Sequence, residues 1–160
     1  MTDLVTMSMS DQANHYLKTK VLSASPAELR LMLIDGAIRF ATQAKEGLER
    51  EDFETSYSGF QQCRAIVTEL ITSVKPTPDP ELYDRVVAIY TFIFQELIES
   101  SMEKDPARVS KVIDLLQYER ETWVMLMEKV ASESGVKPQA PAPVTTGYAN
   151  PQGGGLSLSA

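Results

Sequence analysis

The stretch of sequence that decides the fold runs from residue 24 to residue 38 and reads ASPAELRLMLIDGAI. Ser25 followed by Pro26 is typical of a helix start, because a serine side chain caps free backbone N–H groups and proline fits the first helical turn. Glu28 completes a capping box with Ser25, which satisfies two backbone donors at once. The stretch therefore predicts a helix that begins at Pro26 and continues to about residue 50.

The same helix-start pattern occurs at Asp79-Pro80 and at Asp105-Pro106, and Asp52 is a plausible cap for a further helix. A short leading helix near 11–20 is then followed by four predicted helices, at 26–50, 53–74, 80–104 and 106–134. The linkers are short, so consecutive helices are expected to run antiparallel. Because no stretch shows the alternation of a strand, the sequence predicts an all-α protein, an antiparallel up-down four-helix bundle.

Composition divides the chain into three parts. Residues 135–160 hold five of the eight glycines and four of the nine prolines, with one charged side chain. Such a segment cannot bury enough apolar surface to offset its ordering entropy, so we expect a disordered C-terminal tail. Residues 1–10 are expected to be a flexible N-terminal segment. The folded domain is predicted to cover residues 11–134.

Charge and hydropathy exclude several classes of function. The chain has 160 residues and a formal net charge of −7, which disfavours binding to nucleic acid or to an anionic membrane surface. The longest apolar run, Val86 to Phe94, is too short for membrane insertion. No Lys or Arg precedes Lys18, so a secretory signal is not expected. We therefore expect a cytoplasmic protein.

Residues that carry chemistry are scarce. Cys63 is the one cysteine and His15 the one histidine. These counts exclude an internal disulfide, a cysteine-based zinc site and the Glu-x-x-His pairs of a di-iron bundle. A catalytic group that needs histidine would have to use His15, far along the chain from Cys63. The sequence thus predicts no enzyme activity, no cofactor and no metal.

The predicted helix 80–104 carries more apolar surface than one bundle face needs. Its apolar side chains cover roughly half of the circumference, where about 100° is typical. Phe92 lies outside even that arc, and Ile89 and Ile98 lie toward its edges. A thick, fully used core is one interpretation. The other is that the excess forms grooves for the helices of another protein, in which case Ile89, Phe92 and Ile98 are the predicted partner-binding residues.

Two alternative functions come from other classes. His15-Tyr16-Leu17-Lys18 resembles the His-x-Leu-Lys motif of histidine phosphotransfer domains, with Lys18 one turn from the phosphorylated residue. Thr19, however, stands where that family has glycine, and the leading helix is short. The second alternative is a structural bundle whose spare apolar face forms a homodimer interface.

Three ordered motifs resemble those of the flagellar secretion chaperone family FliS. The first comprises Tyr16–Leu29 and Met32–Ile38, which are similar to the family's tyrosine, spacer, valine, Ala-Ser-Pro and Met-Leu-Tyr-Asp-x-Ala-Ile signature. The second is the Ile89-Tyr90 step of the third bundle helix. The third is Leu115–Trp123, similar to the family's Leu-Arg-Glu-x-Trp near the end of the last helix. The resemblance covers nearly the whole predicted domain.

The resemblance implies an export chaperone that binds the C-terminal, disorder-prone segment of flagellin around the bundle and keeps flagellin monomeric. It also implies docking on a component of the flagellar export gate. Tyr16 matches the tyrosine through which the family's leading segment covers the client groove, or it simply staples the leading helix to the bundle. Ile34 replaces the family's signature tyrosine, so contacts of that hydroxyl are not transferred. Arg120 lies within the apolar stripe of the last helix, where a long side chain is expected to extend to solvent. If Arg120 is buried instead, it needs a carboxylate, and Asp35 is its candidate partner. The predicted structural residues are Ser25, Pro26, Asp35, Arg120 and Trp123.

Overall fold

A computed structural model describes residues 8–75 and 79–135, and every regular element within these ranges is a helix. The helices are α1 Met9–Ser23, α2 Pro26–Glu49, α3 Phe53–Thr72, α4 Pro80–Glu103 and α5 Pro106–Glu133. The predicted all-α class is confirmed. The expected disordered tail lies, apart from Gly135, outside the described residues, and so do residues 1–7 of the expected flexible N-terminal segment.

Side-chain caps fix where the four bundle helices begin. The Ser25 hydroxyl accepts a hydrogen bond from the Glu28 N–H at 3.2 Å, and the Glu28 carboxylate accepts one from the Ser25 N–H at 2.9 Å. The predicted capping box is therefore present. Asp52, Asp79 and Asp105 accept hydrogen bonds from the first turns of α3, α4 and α5. All four predicted starts are confirmed, because each depends on contacts within one helical turn.

The leading helix is longer than expected. The Ser8 hydroxyl accepts a hydrogen bond from the Asp11 N–H, so α1 starts at Met9 rather than near residue 11, and it continues to Ser23. None of its residues is buried. Its large apolar side chains, Tyr16 among them, are exposed to solvent. The helix therefore stands apart from the bundle, joined to it through Ala24 and Ser25.

The four bundle helices form a closed ring. α2 and α4 each pack against α3 and α5, which are their neighbours along the chain or around the ring. Short turns join α2 to α3 and α4 to α5, so these pairs run antiparallel. The interior is filled by the fully buried side chains of all four helices. The largest of these are Phe60, Leu70, Tyr90, Ile93, Leu97 and Leu116, together with Ile34 of α2.

Small residues bring α2 and α3 into close contact. A Cβ atom built on Gly59 would lie 2.7 Å from both the Ala44 nitrogen and the Phe40 carbonyl oxygen, which belong to the α2 backbone. A Cβ atom on Gly47 would lie 2.6 Å from the Ser56 nitrogen. We call this contact the α2–α3 seam. Its remaining small members are Ala37, Ala41, Ala44, Ser56 and Cys63.

Candidate functional site

Large apolar side chains lie exposed where α4 and α5 meet. On α4, Leu82 is 52% and Phe92 is 51% exposed, and on α5, Leu126 is 46% exposed. Half-buried Ile89 and Leu115 lie between them and pack against the core. We call this surface the α4–α5 groove, and it comprises Leu82, Ile89, Phe92, Leu115 and Leu126.

Helix geometry places these residues on the facing sides of α4 and α5. Arg108 of α5 contacts Glu96 of α4, Nε to Oε2, at 2.8 Å, which identifies those sides. The α4 members precede Glu96 by four, seven and fourteen residues. Leu115 and Leu126 follow Arg108 by seven and eighteen residues. Each of these spacings is close to a whole number of turns, at about 3.6 residues per turn, so the side chains form one continuous surface.

A cluster of charged groups closes the groove at the end near the α4–α5 turn. The Arg108 guanidinium donates hydrogen bonds to Glu96 at 2.8 and 3.1 Å, to Glu103 at 2.9 Å, and to Glu99. The hydrogen bond from Arg108 holds the pKa of the Glu96 carboxyl below its usual range. Phe92 lines the same cavity as Arg108 and Glu96, so the apolar surface ends there.

A polar network joins three helices near the opposite end of the bundle. The Arg30 guanidinium of α2 lies over the Tyr90 ring at 5.5 Å and over the Trp123 ring at 5.3 Å. The Trp123 indole N–H donates to the Ala27 carbonyl oxygen at 3.0 Å. Burial raises the pKa of Glu119, which is hydrogen-bonded to the Tyr90 hydroxyl and lies near Arg30. The network holds the first turn of α2 against α4 and α5. It therefore also fixes the point at which the C-terminal end of α1 joins the bundle.

The structure brings two of the three α4 residues predicted from sequence into the groove. Ile89 and Phe92 face α5, whereas Ile98 is half-buried and lies about 120° around the helix from Phe92, toward the α3 side. Sequence reasoning missed Leu82, Leu115 and Leu126 as members of this surface. The whole-turn spacing of Leu82 and Ile89 ahead of Glu96 is the signal that was available, but using it requires knowing which side of α4 faces α5.

The residues predicted to be structural occupy positions that hold helices together. The Arg120 Nε donates to the Asp35 Oδ1 at 2.5 Å, so the predicted partner of Arg120 is confirmed. The two side chains remain 37% and 46% exposed, which makes this a surface ion pair rather than a buried one. Such pairs contribute about 0–1 kcal/mol to stability. Trp123 binds the α2 backbone, and Ser25 and Pro26 start that helix.

Tyr16 and His15 both lie on α1, outside the bundle. Tyr16 is 66% exposed, so in this conformation it neither covers the α4–α5 groove nor staples α1 to the other helices. His15 is exposed on the same short helix. Among the residues that the structure describes, no cluster of His, Cys, Asp and Glu is able to hold a metal ion. Nor does any helix in the described ranges have the length and hydropathy to cross a membrane.

Known proteins similar to this chain come from bacterial flagellar systems. The family model described as "Flagellar protein FliS" matches residues 9–130. The flagellar secretion chaperone FliS of Bacillus subtilis is 24% identical over 117 residues, which cover 73% of this chain and 86% of that protein. The flagellar secretion chaperone FliS of Campylobacter jejuni is 28% identical over 110 residues, covering 69% of this chain and 86% of that protein. Both matches extend over most of the described helices.

Proposed function

The chain belongs to the FliS family of flagellar secretion chaperones, and from this premise we propose that it binds the C-terminal segment of flagellin. Binding would keep flagellin from polymerising before export and hold it in an export-competent form. The protein would act without catalysis, in the cytosol, before its client reaches the export gate. The observation that carries this proposal is the α4–α5 groove, a continuous apolar surface that extends over two helices of the bundle.

The dimensions and chemistry of the groove suit an amphipathic helix. Its members extend from Leu82 to Phe92 on α4 and from Leu115 to Leu126 on α5, about three turns in length. A client helix with apolar side chains three, four and seven residues apart would insert them between the two rows. Phe92 supplies an exposed aromatic ring, and aromatic side chains are enriched at the centres of protein interfaces.

The thermodynamics of such a complex suit a transport chaperone. A client segment that is disordered when free loses conformational entropy as it folds onto the groove. That loss offsets part of the favourable burial of apolar surface, so a large contact gives only a moderate affinity. Moderate affinity allows the client to be released at the export gate. The apolar burial would appear as a large negative heat-capacity change on binding.

Calorimetric titration of the purified protein tests the proposal, with a peptide of about 40 residues from the C-terminus of the same organism's flagellin. We expect one-to-one binding with a Kd of about 1 μM or lower and a negative heat-capacity change. A peptide of equal length from the central part of flagellin is the control and should not bind. Absence of binding to the C-terminal peptide by a folded protein would contradict the proposal.

The oligomeric state decides between this function and a structural homodimer. If the α4–α5 groove serves a client, a dimer formed through it should dissociate when the flagellin peptide is added. Light scattering with and without the peptide measures this directly. A tight dimer that persists at saturating peptide would favour the structural alternative. We also propose that the chaperone docks on an export-gate component together with its client, as the family membership suggests.

A further inference from the structure

A second apolar pocket lies at the end of the bundle where α2 turns into α3 and α4 turns into α5. Its floor is formed by buried Leu48 and Phe60, and its walls by Phe53 and Tyr57 of α3 and by Lys104 at the end of α4. Phe53 is 47% and Tyr57 is 60% exposed, one helical turn apart. We call it the α3–α4 pocket. It lies on the α3 side of α4, whereas the α4–α5 groove lies on the α5 side.

The pocket already holds one cationic group, from the chain itself. The Lys104 ammonium lies 4.4 Å from the centre of the Phe53 ring. Lys104 is the C-cap of α4 and has a left-handed backbone conformation, with φ of 52°. Aromatic ring faces attract cations through their quadrupole, and an exposed contact of this kind is weak enough to be exchanged for another. The side chain of Lys104 therefore shows which chemistry the Phe53 ring face accepts.

The surroundings of the pocket favour cations as well. The two turns beside it, residues 49–54 and 103–105, contain six carboxylates against two cationic side chains. Glu103 is paired with Arg108, which also contacts Glu96 and Glu99, and the Asp52 carboxylate accepts hydrogen bonds from the Thr55 N–H and hydroxyl. Glu51 and Glu54 are exposed next to the aromatic pair. An apolar pocket with an acidic rim is complementary to a segment that carries both basic and apolar side chains.

We propose that the α3–α4 pocket is a second docking site, which takes a short basic segment of a partner protein with an Arg or Lys over the Phe53 ring in place of Lys104. An adjacent apolar side chain of that segment would contact Tyr57 and the floor at Phe60. The site is separate from the α4–α5 groove in position. The protein is thereby able to hold a client and a second partner at the same time.

Fluorescence anisotropy with the full-length protein tests this site. The probe is a fluorescein-labelled synthetic peptide of about ten residues in which Arg and Leu alternate, and the comparison peptide has Glu in place of each Arg. At an ionic strength of about 0.15 M, screening suppresses long-range attraction to the acidic protein as a whole. We expect binding of the basic peptide and none of the acidic one. Equal binding of both peptides, or of neither, would overturn the proposal.

Matched variants locate the binding. Phe53→Ala should weaken binding of the basic peptide by about 5-fold or more. Tyr118→Ala, at an exposed aromatic of α5 outside the pocket, should change that affinity by less than about 2-fold. Lys104→Met should tighten binding by about 2- to 5-fold, since it removes the competing ammonium. Circular dichroism checks that each variant is folded. An unchanged affinity in Phe53→Ala, or an equal loss in Tyr118→Ala, would refute the assignment.

Competition separates the two sites. If the pocket is independent, saturating amounts of the C-terminal flagellin peptide should leave the affinity for the basic probe within about 2-fold. Displacement of the probe by flagellin would mean that the pocket is part of the client surface, and the proposal of a second partner would be wrong. Because the probe itself does not depend on flagellin, failure of the flagellin proposal would leave this measurement interpretable.

Discussion

The α2–α3 seam and the α4–α5 groove are opposite solutions to the packing of two antiparallel helices. In the seam, Gly47 and Gly59 let the backbones approach so closely that a single methyl group would clash with backbone atoms. In the groove, large side chains keep part of their apolar surface in solvent, and long charged side chains join the helices at Arg108. The difference indicates that one side of the bundle is built for rigidity and the other for contact with another molecule.

This division has a physical reason. Close packing of small residues leaves no volume for rearrangement, and a well-packed interior transmits strain instead of absorbing it. An exposed apolar surface contributes little to the stability of its own chain, because its side chains are still in water. The same surface gains free energy when a partner covers it. Substitutions in the two regions should therefore affect different quantities, stability in the seam and affinity in the groove.

The largest expected effect is in the seam. Gly59→Ala should lower the free energy of unfolding by about 1–3 kcal/mol, since the new methyl group would clash with the backbone of α2 at Phe40 and Ala44. Gly36→Ala is the matched control, because its methyl group would meet only the end of the Ile66 side chain, at 3.2 Å. It should be neutral or stabilising by up to about 1 kcal/mol. Urea denaturation followed by circular dichroism measures the free energy of unfolding of both variants. Equal effects of the two substitutions would contradict the close backbone contact at the α2–α3 seam.

The next effect is on affinity in the groove. Phe92→Ala should weaken the binding of the flagellin peptide by about 10-fold, equivalent to about 1.4 kcal/mol. The free energy of unfolding of the Phe92→Ala variant should differ from that of the unchanged protein by no more than about 0.5 kcal/mol, since half of the Phe92 side chain is already in solvent. Met102→Ala, at an exposed apolar position of α4 outside the groove, is the control for titration. If both variants bind as tightly as the unchanged protein, the groove is not the client surface.

Two carboxylates at different levels of the α4–α5 interface should give opposite dependences on pH. Burial raises the pKa of Glu119 above 4.5, so the stability it contributes relative to Glu119→Gln is greatest at low pH and declines as pH rises above about 4.5. The hydrogen bond from Arg108 lowers the pKa of Glu96. The stability that Glu96 contributes relative to Glu96→Gln is therefore present above pH 4.5 and is lost as pH falls below that value. Urea denaturation of the three proteins between pH 3 and pH 7, about the range in which carboxyl groups titrate, measures both slopes. If the stability contributions of Glu119 and Glu96 changed with pH in the same direction, the environments of the two carboxylates would not differ as described.

The smallest expected effect is at α1. If the helix can fold back over the client groove, Tyr16→Ala should strengthen flagellin binding by about 2- to 5-fold, because a competing cover is weakened. If Tyr16 contacts the client instead, the affinity should fall by a similar factor. Calorimetric titration with the flagellin peptide distinguishes a rise in affinity from a fall. Leu22→Ala, at another exposed position of α1, is the control. An unchanged affinity would remove Tyr16 from the partner-binding residues.

Much of the fold was predictable because the signals are local. The serine and aspartate caps at 25, 52, 79 and 105 each act within one helical turn, so the starts of the bundle helices follow from a few residues. The start of α1 was missed by two residues, because Ser8 caps it without a following proline or an apolar run. The exposure of Arg120 was expected from its long side chain, and Asp35 was the candidate partner for a buried Arg120. That the two pair at the surface depends on how α2 and α5 are rotated.

The sequence by itself determined the starts of the four bundle helices, the all-α class and the membership of the FliS family, because caps, periodicity and ordered motifs are properties of the chain alone. Only the tertiary structure decided that Phe92 and Ile98 face different helices and that Arg30 meets Tyr90 and Trp123. It also decided that Gly59 sits against the backbone of α2. Each of these depends on the rotation and separation of neighbouring helices, which the period of a single helix leaves free.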